Sequence, residues 1–260
     1  MKKNLFAIVI LLLTLNFGAF SQEENESSKI NFSAEISNRH MWRGGQTADR
    51  ISIKPNLEYL WNNFTFGAFG IYTFDNSYNE IDLYVGYKVG NFNFVLYDFY
   101  TPNDMSPDFY DYTKSKNVHM LDFTASYTIS EDLPLTIMAA GTWSEAEADY
   151  NNDANIKGMP TGSLDKISTY IELSYAAKYK DLDITYSLGG APGHSRYSRT
   201  FDENGIKKYW DGAFYIVNMG MKIGKEIQLT DTFSFPLSAG LTFNPHQEKF
   251  FFQVNLGIHF

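Results

Sequence analysis

Apolar and polar residues alternate along most of the chain with a period of two. In the segment 233–243, Phe, Leu and Ala occupy the odd positions, while Ser, Gly and Thr occupy most of the even positions. Successive side chains of a β-strand point to opposite faces, so this pattern predicts strands with one apolar and one polar face. Helical periodicity is rare. The sequence therefore predicts an all-β fold.

The alternation predicts twelve strands, most of them 8 to 14 residues long. A tilted strand needs roughly 9–11 residues to cross a bilayer, whereas strands of soluble proteins have about 5–6. Strand length thus favours a transmembrane antiparallel up-and-down β-barrel. Ten or fourteen strands are the alternatives to twelve, because Pro55 and Pro236 interrupt two of the segments. The segments are 30–43, 50–61, 64–73, 80–87, 92–100, 117–129, 133–143, 167–179, 182–190, 212–228, 233–243 and 249–260.

Short and long connections alternate between these segments. Tight turns such as Asn62-Asn63 and Lys180-Asp181 follow the even-numbered segments, whereas the longest connections, 101–116, 144–166 and 191–211, all follow odd-numbered ones. Outer-membrane barrels have short periplasmic turns and longer external loops. We therefore expect both termini and the tight turns in the periplasm, with the long loops outside the cell.

The last segment, 249–260, ends on an aromatic residue. Its apolar face, Phe252 to Ile258 at even positions, would contact lipid, and Phe260 would lie at the periplasmic membrane interface. In lipid every backbone polar group needs a partner, so the last strand must pair with the first. A terminal strand ending in Phe resembles the signal bound by the barrel assembly machinery. The alternative is an edge strand of a soluble sheet.

The first 21 residues have the layout of a secretory signal peptide. Met1-Lys2-Lys3 precedes an apolar run from Leu5 to Leu15, and small residues at Ala19 and Ser21 fit a cleavage site before Gln22. Residues 22–29 would form a periplasmic spacer and 30–260 the barrel. These features predict export through the Sec pathway to the outer membrane of a Gram-negative bacterium; an uncleaved anchor is the alternative.

Composition narrows the range of partners. The chain has no cysteine, which excludes disulfides and thiolate metal sites. Without Lys2 and Lys3, 19 of the 21 basic residues remain against 30 acidic ones, and this acidic balance argues against nucleic acid. Aromatic residues make up 17% of the chain, as expected where girdles contact a bilayer and lipopolysaccharide.

Charged residues recur at positions whose parity is opposite to that of the apolar face. They predict a pore lining of mixed charge, which either selects small polar solutes or pairs off into a salt-bridged filling. Twelve strands lie between barrels filled by side chains and open channels, and loop 144–166 is long enough to fold inward. The predicted pore-lining residues are Glu35, Arg39, Arg43, Lys54, Glu58, Asp82, Asp122, Glu172, Lys178, Asp183 and Lys222.

The stretch from Ser37 to Tyr59 resembles the first hairpin of the TorF-like porin family of Gram-negative bacteria. Trp42-Arg43-Gly44 and Pro55 match its aromatic-Arg-Gly strand end and its proline-containing next strand. The resemblance implies a barrel with a transport role and names no solute. Asn38 and His40 depart from the apolar parity and suggest a bulge. The aromatics expected at the membrane interface are Trp42, Trp61, Trp143 and Phe260.

Several histidine and serine residues near predicted strand ends suggest catalysis as an alternative to transport. A hydrolase needs a nucleophile, a base and an orienting group within reach, and His194-Ser195, with Ser198 nearby, would lie at an external strand end. His119 and His246 would lie at the same rim. No metal or cofactor motif is present. The sequence therefore predicts a non-enzymatic porin passing small hydrophilic solutes, with a structural or surface-binding barrel as alternative and a lipid hydrolase as a third reading.

Overall fold

A computed structural model gives the structure of the protein. It describes residues 28–102, 109–110, 119–143, 167–193, 195–198, 213–230 and 233–259. The predicted signal peptide, most of the three longest connections, His194 and Phe260 lie outside these residues. None of the helices within the described ranges has the length and apolarity needed to cross a membrane.

Twelve strands form one closed antiparallel barrel, as the sequence predicted. Each strand pairs with its sequence neighbour in the barrel, and the last strand pairs with the first, so no edge remains open. The strands are β1 (Ser28–Ser37), β4 (Ser52–Trp61), β5 (Phe64–Thr73), β6 (Asn79–Val89), β7 (Phe92–Tyr100), β8 (His119–Thr128), β9 (Leu135–Trp143), β10 (Ile167–Tyr179), β11 (Leu182–Pro192), β12 (Phe214–Thr230), β13 (Phe233–Asn244) and β14 (Lys249–His259). A separate pair, β2 (His40–Trp42) and β3 (Gly45–Ala48), completes the set.

The two faces of the sheet differ in polarity. Large apolar side chains on the outer face are exposed, for example Leu57, Leu96 and Leu173, whereas polar residues such as Ser52 and Asp122 are buried on the inner face. A soluble protein would cover such an apolar outer face, but a bilayer supplies the apolar surroundings that it needs. The fold is a transmembrane up-and-down β-barrel.

Aromatic rings form a row on the outer face near the tight turns. Trp61 stacks on Phe64 with ring centroids 6.2 Å apart, and Phe64 lies 4.8 Å from Tyr87. Phe92 and Tyr127 continue the row on the next two strands, 4.7 Å apart. Rings with polar edges suit the boundary between hydrocarbon and water, so this row marks one membrane interface.

The first strand ends six residues earlier than the predicted segment 30–43. β1 begins at Ser28, inside the predicted spacer, and ends at Ser37, after which the chain leaves the barrel wall. The Asn38 side chain then replaces a strand neighbour, because its Nδ2 donates to the Phe252 carbonyl and its Oδ1 accepts from the Val254 amide. The Asn38 side chain therefore provides hydrogen bonds to the β14 backbone beyond the end of β1. This role explains why a polar residue occupies position 38, where the parity predicts an apolar one.

Strands β2 and β3 form a hairpin that lies inside the barrel; residues 38–51 are here called the inner hairpin. Its two-residue turn is Arg43-Gly44, and both residues have positive φ, of 45° and 81°. This geometry is that of a type I′ turn. A Cβ on Gly44 would lie 1.9 Å from the Val217 carbonyl oxygen, so glycine is required where the tip meets the wall.

Pro55 and Pro236 lie at positions where the neighbouring strand does not need the backbone N–H donor that proline lacks. Pairing of β4 with β5 omits Lys54 and Pro55, although the register is the same on either side of them. Pro236 comes just before the β13–β14 ladder, which starts at Leu237. A closed barrel can therefore hold prolines without a free edge, and the count of twelve strands stands.

Candidate functional site

Arg43 anchors the tip of the inner hairpin to the opposite wall of the barrel. Its guanidinium donates to both carboxylate oxygens of Asp122, at 2.6 and 2.8 Å, and to the hydroxyls of Thr124 and Thr142 at 2.9 and 3.2 Å. Arg43 and Asp122 side chains are 5% and 0% exposed. A buried, bidentate ion pair with further hydroxyl partners fixes the position of the tip.

Aromatic rings complete the surroundings of this guanidinium. Its carbon lies 4.6 Å from the Trp42 ring centroid, 5.2 Å from that of Tyr197 and 5.4 Å from that of Tyr170. Tyr197 belongs to a 3-10 turn, Arg196–Ser198, that follows β11 and also enters the lumen. Two inward segments, the inner hairpin and this turn, therefore meet at Arg43.

The inner hairpin leaves two cavities in the lumen. One has a volume of about 900 Å³ and is bounded by β1, β4–β8, the hairpin and the strands β12–β14. The other, of about 410 Å³, is bounded by the hairpin and by β7–β14. Six residues border both cavities and are here called the constriction: Met41, Trp42, Arg43, Tyr97, Lys222 and Gln253.

Most of the predicted lining residues lie on the inner side of the barrel. Glu35, Arg43, Lys54, Asp82 and Lys222 border the larger cavity, and Glu172 borders the smaller one. Two of them pair across neighbouring strands, since Lys54 Nζ donates to Glu35 Oε1 at 2.9 Å. The wall thus carries both paired and unpaired charge.

The other predicted lining residues lie away from the two cavities. Glu58 accepts a hydrogen bond from the Tyr84 hydroxyl at 2.8 Å. Lys178 and Asp183 lie 3.5 Å apart with side chains 72% and 71% exposed, next to a tight turn. Arg39 belongs to the inner hairpin instead of β1, because the strand ends at Ser37, and it donates to Gln46.

The prediction that Trp42 lies at a membrane interface is wrong. It does not lie at a membrane interface, because the inner hairpin carries it into the lumen, where its ring meets Phe99 edge-on at 5.2 Å. Trp61 and Trp143 do lie on the outer face and are exposed. Each is the last residue of its strand, and because β4 and β9 run in opposite directions the two side chains lie at opposite ends of the barrel. Phe260 is outside the described residues.

His40 lies on the inner hairpin and borders the larger cavity. Its Nδ1 is shielded from solvent and has no hydrogen-bond partner in the part of the chain that the structure describes. Burial, and after it the positive charge of Lys54, lowers the pKa of His40 to about 3. The imidazole is therefore neutral while the hairpin is docked.

The groups considered for catalysis are engaged in structural hydrogen bonds. Ser195 Oγ donates to the Thr169 carbonyl at 2.8 Å, and Ser198 Oγ donates to the Ser195 carbonyl. His246 Nε2 lies 2.7 Å from the Ser198 carbonyl oxygen. His119 lies between Asp98 and the Phe109 carbonyl, at 2.8 and 2.7 Å. His194 is outside the described residues, so its chemistry stays a prediction.

Sequence reasoning missed several residues of the lumen. Phe69, Tyr97 and Phe99 border the larger cavity although they are aromatic, because strands β5 and β7 are apolar on both faces in places. Glu80 shares the inward parity of Asp82 and borders the same cavity, and that parity could have identified it. No sequence pattern indicated that Tyr197 lies in the lumen, because its position depends on how the 3-10 turn enters the barrel.

Comparisons with known proteins give matches among solved structures. No family model and no curated protein matches it. The KdgM porin is similar over 90% of this chain and 98% of its own, with 10% identity and a TM-score of 0.43. The COG4313 outer membrane channel from Pseudomonas putida F1 is similar over 90% and 94%, with 12% identity and a TM-score of 0.40. At such identities and TM-scores, neither likeness identifies a solute.

Proposed function

We propose that the protein is an outer-membrane porin through which small hydrophilic solutes diffuse passively. The observation that carries this proposal is the lumen, in which the inner hairpin borders two cavities of about 900 and 410 Å³ whose walls include charged residues such as Lys54, Asp82 and Glu172. The six residues of the constriction separate them. Solute size and charge would therefore be selected at this level of the barrel.

The lumen argues for a pore over a barrel filled by its own side chains. The apolar core inside the barrel is small, with Tyr170, Ala191, Tyr197 and Val217 as its buried members. Charged residues such as Lys222 border open space, and no salt bridge engages Lys222 among the described residues. A barrel with a purely structural role would pair such charges and close the space between them, since unpaired charge away from water is costly.

A lipid hydrolase has less support. The hydroxyls of Ser195 and Ser198 donate to backbone carbonyls, so neither is presented to a histidine base as a nucleophile requires. His119 and His246 hold structural contacts at the rim. The proposed location is the outer membrane of a Gram-negative bacterium, and the closed transmembrane barrel supports it. Lipopolysaccharide outside and the barrel assembly machinery as folding partner are parts of the same proposal.

Conductance across a planar bilayer tests the proposal. The purified barrel is expected to give discrete channels, and Lys222→Ala and Glu172→Ala are expected to shift the ratio of cation to anion permeability, because both side chains border the cavities. Asp75→Ala is the matched control, because Asp75 lies in an exposed connection with Ser77 and Arg50 as partners. A silent bilayer would favour the structural barrel, and phospholipid hydrolysis lost in His194→Ala would favour the enzyme.

A further inference from the structure

One buried carboxylate in the larger cavity lacks a partner. Asp82, on the inner face of β6, is 4% exposed, and its Oδ1 has no hydrogen bond among the described residues. It also forms no salt bridge with the lysines, arginines and histidines described. Its neighbour Glu80 differs, because that carboxylate accepts hydrogen bonds from the hydroxyls of Tyr78 and Thr101. Ionising a buried carboxyl group without a partner is costly, and a cationic ligand bound beside Asp82 would offset that cost.

Aromatic rings flank this carboxylate on both sides. In the sheet register Asp82 lies directly opposite Phe69 on β5 and opposite Phe99 on β7. Side chains that face each other across an antiparallel pair have Cβ atoms about 4.5–5.5 Å apart. Phe69, Asp82 and Phe99 therefore form one row across three strands, and all three border the cavity of about 900 Å³.

The aromatic wall continues beyond this row. Tyr97 stacks on Phe99 at 5.3 Å and lies 5.3 Å from Tyr84, while Trp42 of the inner hairpin meets Phe99 at 5.2 Å. A carboxyl group between aromatic rings is an arrangement that can bind organic ammonium ions, because the carboxylate attracts the positive charge and the rings can attract it through their π-electrons.

We infer that Asp82, Phe69 and Phe99 form a binding site for a small solute that carries an ammonium group. Small ammonium compounds would then be a substrate class for the proposed pore. Binding at the site does not depend on the proposed function, whereas a role of the site in transport does. An inorganic divalent cation fits less well, because no group of three or more His, Asp or Glu ligands occurs within the described ranges. Such ions prefer more oxygen ligands than two carboxylates supply.

Binding is measured by calorimetry on the full-length barrel in detergent, with butylammonium as probe and butyrate and Ca²⁺ as comparisons. The wild type is expected to bind butylammonium and not butyrate. Asp82→Asn should weaken binding roughly 10- to 100-fold, the range expected for a hydrogen bond to a charged group. Asp183→Asn removes the same charge near a tight turn, away from the rings, and should leave binding unchanged.

The aromatic part of the site has its own test. Phe69→Leu and Phe99→Leu keep an apolar side chain and remove the ring, so each should weaken butylammonium binding roughly 2- to 30-fold. These variants keep the inference testable if Asp82→Asn does not fold, which slower migration of the unboiled protein on a gel would reveal. Equal binding by wild type and Asp82→Asn, or Asp82-dependent binding of Ca²⁺ without butylammonium, would overturn the site.

Failure of the site and failure of the pore give different results. Calorimetry needs no conductance, so binding without channels would retain the site and refute the pore. Channels that pass ions but show no binding and no block by butylammonium would retain the pore and refute the site. Block of the ion current by butylammonium, lost in Asp82→Asn, would join the two.

Discussion

Arg43→Gln should release the inner hairpin from the barrel wall. In the wild type the guanidinium holds Asp122 through two hydrogen bonds, of 2.6 and 2.8 Å, in surroundings where Asp122 is 0% exposed. Removing one member of a buried ion pair leaves the other charge without a partner and costs about 3–5 kcal/mol. The equilibrium between docked and released hairpin should shift by roughly two to nearly four orders of magnitude, at about 1.4 kcal/mol per factor of ten.

Cysteine labelling measures this equilibrium, and the chain has no cysteine of its own. Ala48, at the end of β3, is 3% exposed, so Ala48→Cys should react with a maleimide only when the hairpin is released. Where release and return are fast compared with labelling, the rate follows the population of the released state. Arg43→Gln should therefore raise the labelling rate of Ala48→Cys by at least about 100-fold.

Two controls separate the buried ion pair from a general effect of the substitution. Arg50→Gln makes the same change in the same connection, but Arg50 pairs with Asp49 and Asp75 at half-exposed positions, where such pairs are worth about 0–1 kcal/mol. Adding Asp122→Asn to Arg43→Gln should restore part of the docking, because the abandoned charge is removed. Equal labelling rates in the wild type, Arg43→Gln and Arg50→Gln would refute the role assigned to Arg43.

Other consequences of the structure can be tested separately. Leu173→Arg, on the exposed outer face of β10, should destabilise the barrel by about 2–4 kcal/mol in bilayers, as read from urea unfolding, and Leu173→Ala by less. Because the pKa of His40 is about 3 when docked, release takes up a proton between roughly pH 6.5 and 3. Docking should therefore weaken as pH falls through that window, and the matching rise in conductance should be absent in His40→Gln. Single cysteines in loops 101–116 and 144–166 should react with an impermeant reagent on whole cells, whereas one at Asn62 should not; the reverse result would invert the topology. The barrel should migrate faster before boiling than after it, and a detergent-free soluble monomer would contradict the membrane assignment.

The strands were predictable because their signal is local. Successive side chains of a strand point to opposite faces, and in a membrane barrel one face contacts lipid while the other faces the lumen. Apolar and polar residues therefore alternate, as from Leu237 to Thr242. Closure followed from the need to satisfy the backbone in lipid, and the pairing of β1 with β14 confirms it. Even the inward parity of Lys54 and Asp82 could be read from neighbouring apolar positions.

The path of the inner hairpin could not be read in this way. Asn38 and His40 break the apolar parity, which predicts a bulge, but nothing local indicates that the whole segment 38–51 leaves the wall after Ser37. That departure is decided by contacts with residues far away in the sequence. Arg43 meets Asp122, and Gly44 meets the Val217 carbonyl, which become neighbours only after the barrel has closed.

The sequence by itself thus determined most of the strands and which face of each strand points inward, because both depend on residues two positions apart. It also determined that the sheet closes, because every backbone polar group needs a partner in lipid. The tertiary structure alone decided that Trp42 lies inside, that Arg43 is neutralised by Asp122, and that Asp82 lies without a partner between Phe69 and Phe99. Those contacts depend on strand register and on the path of one connection through the lumen, and both are set by packing across the whole barrel.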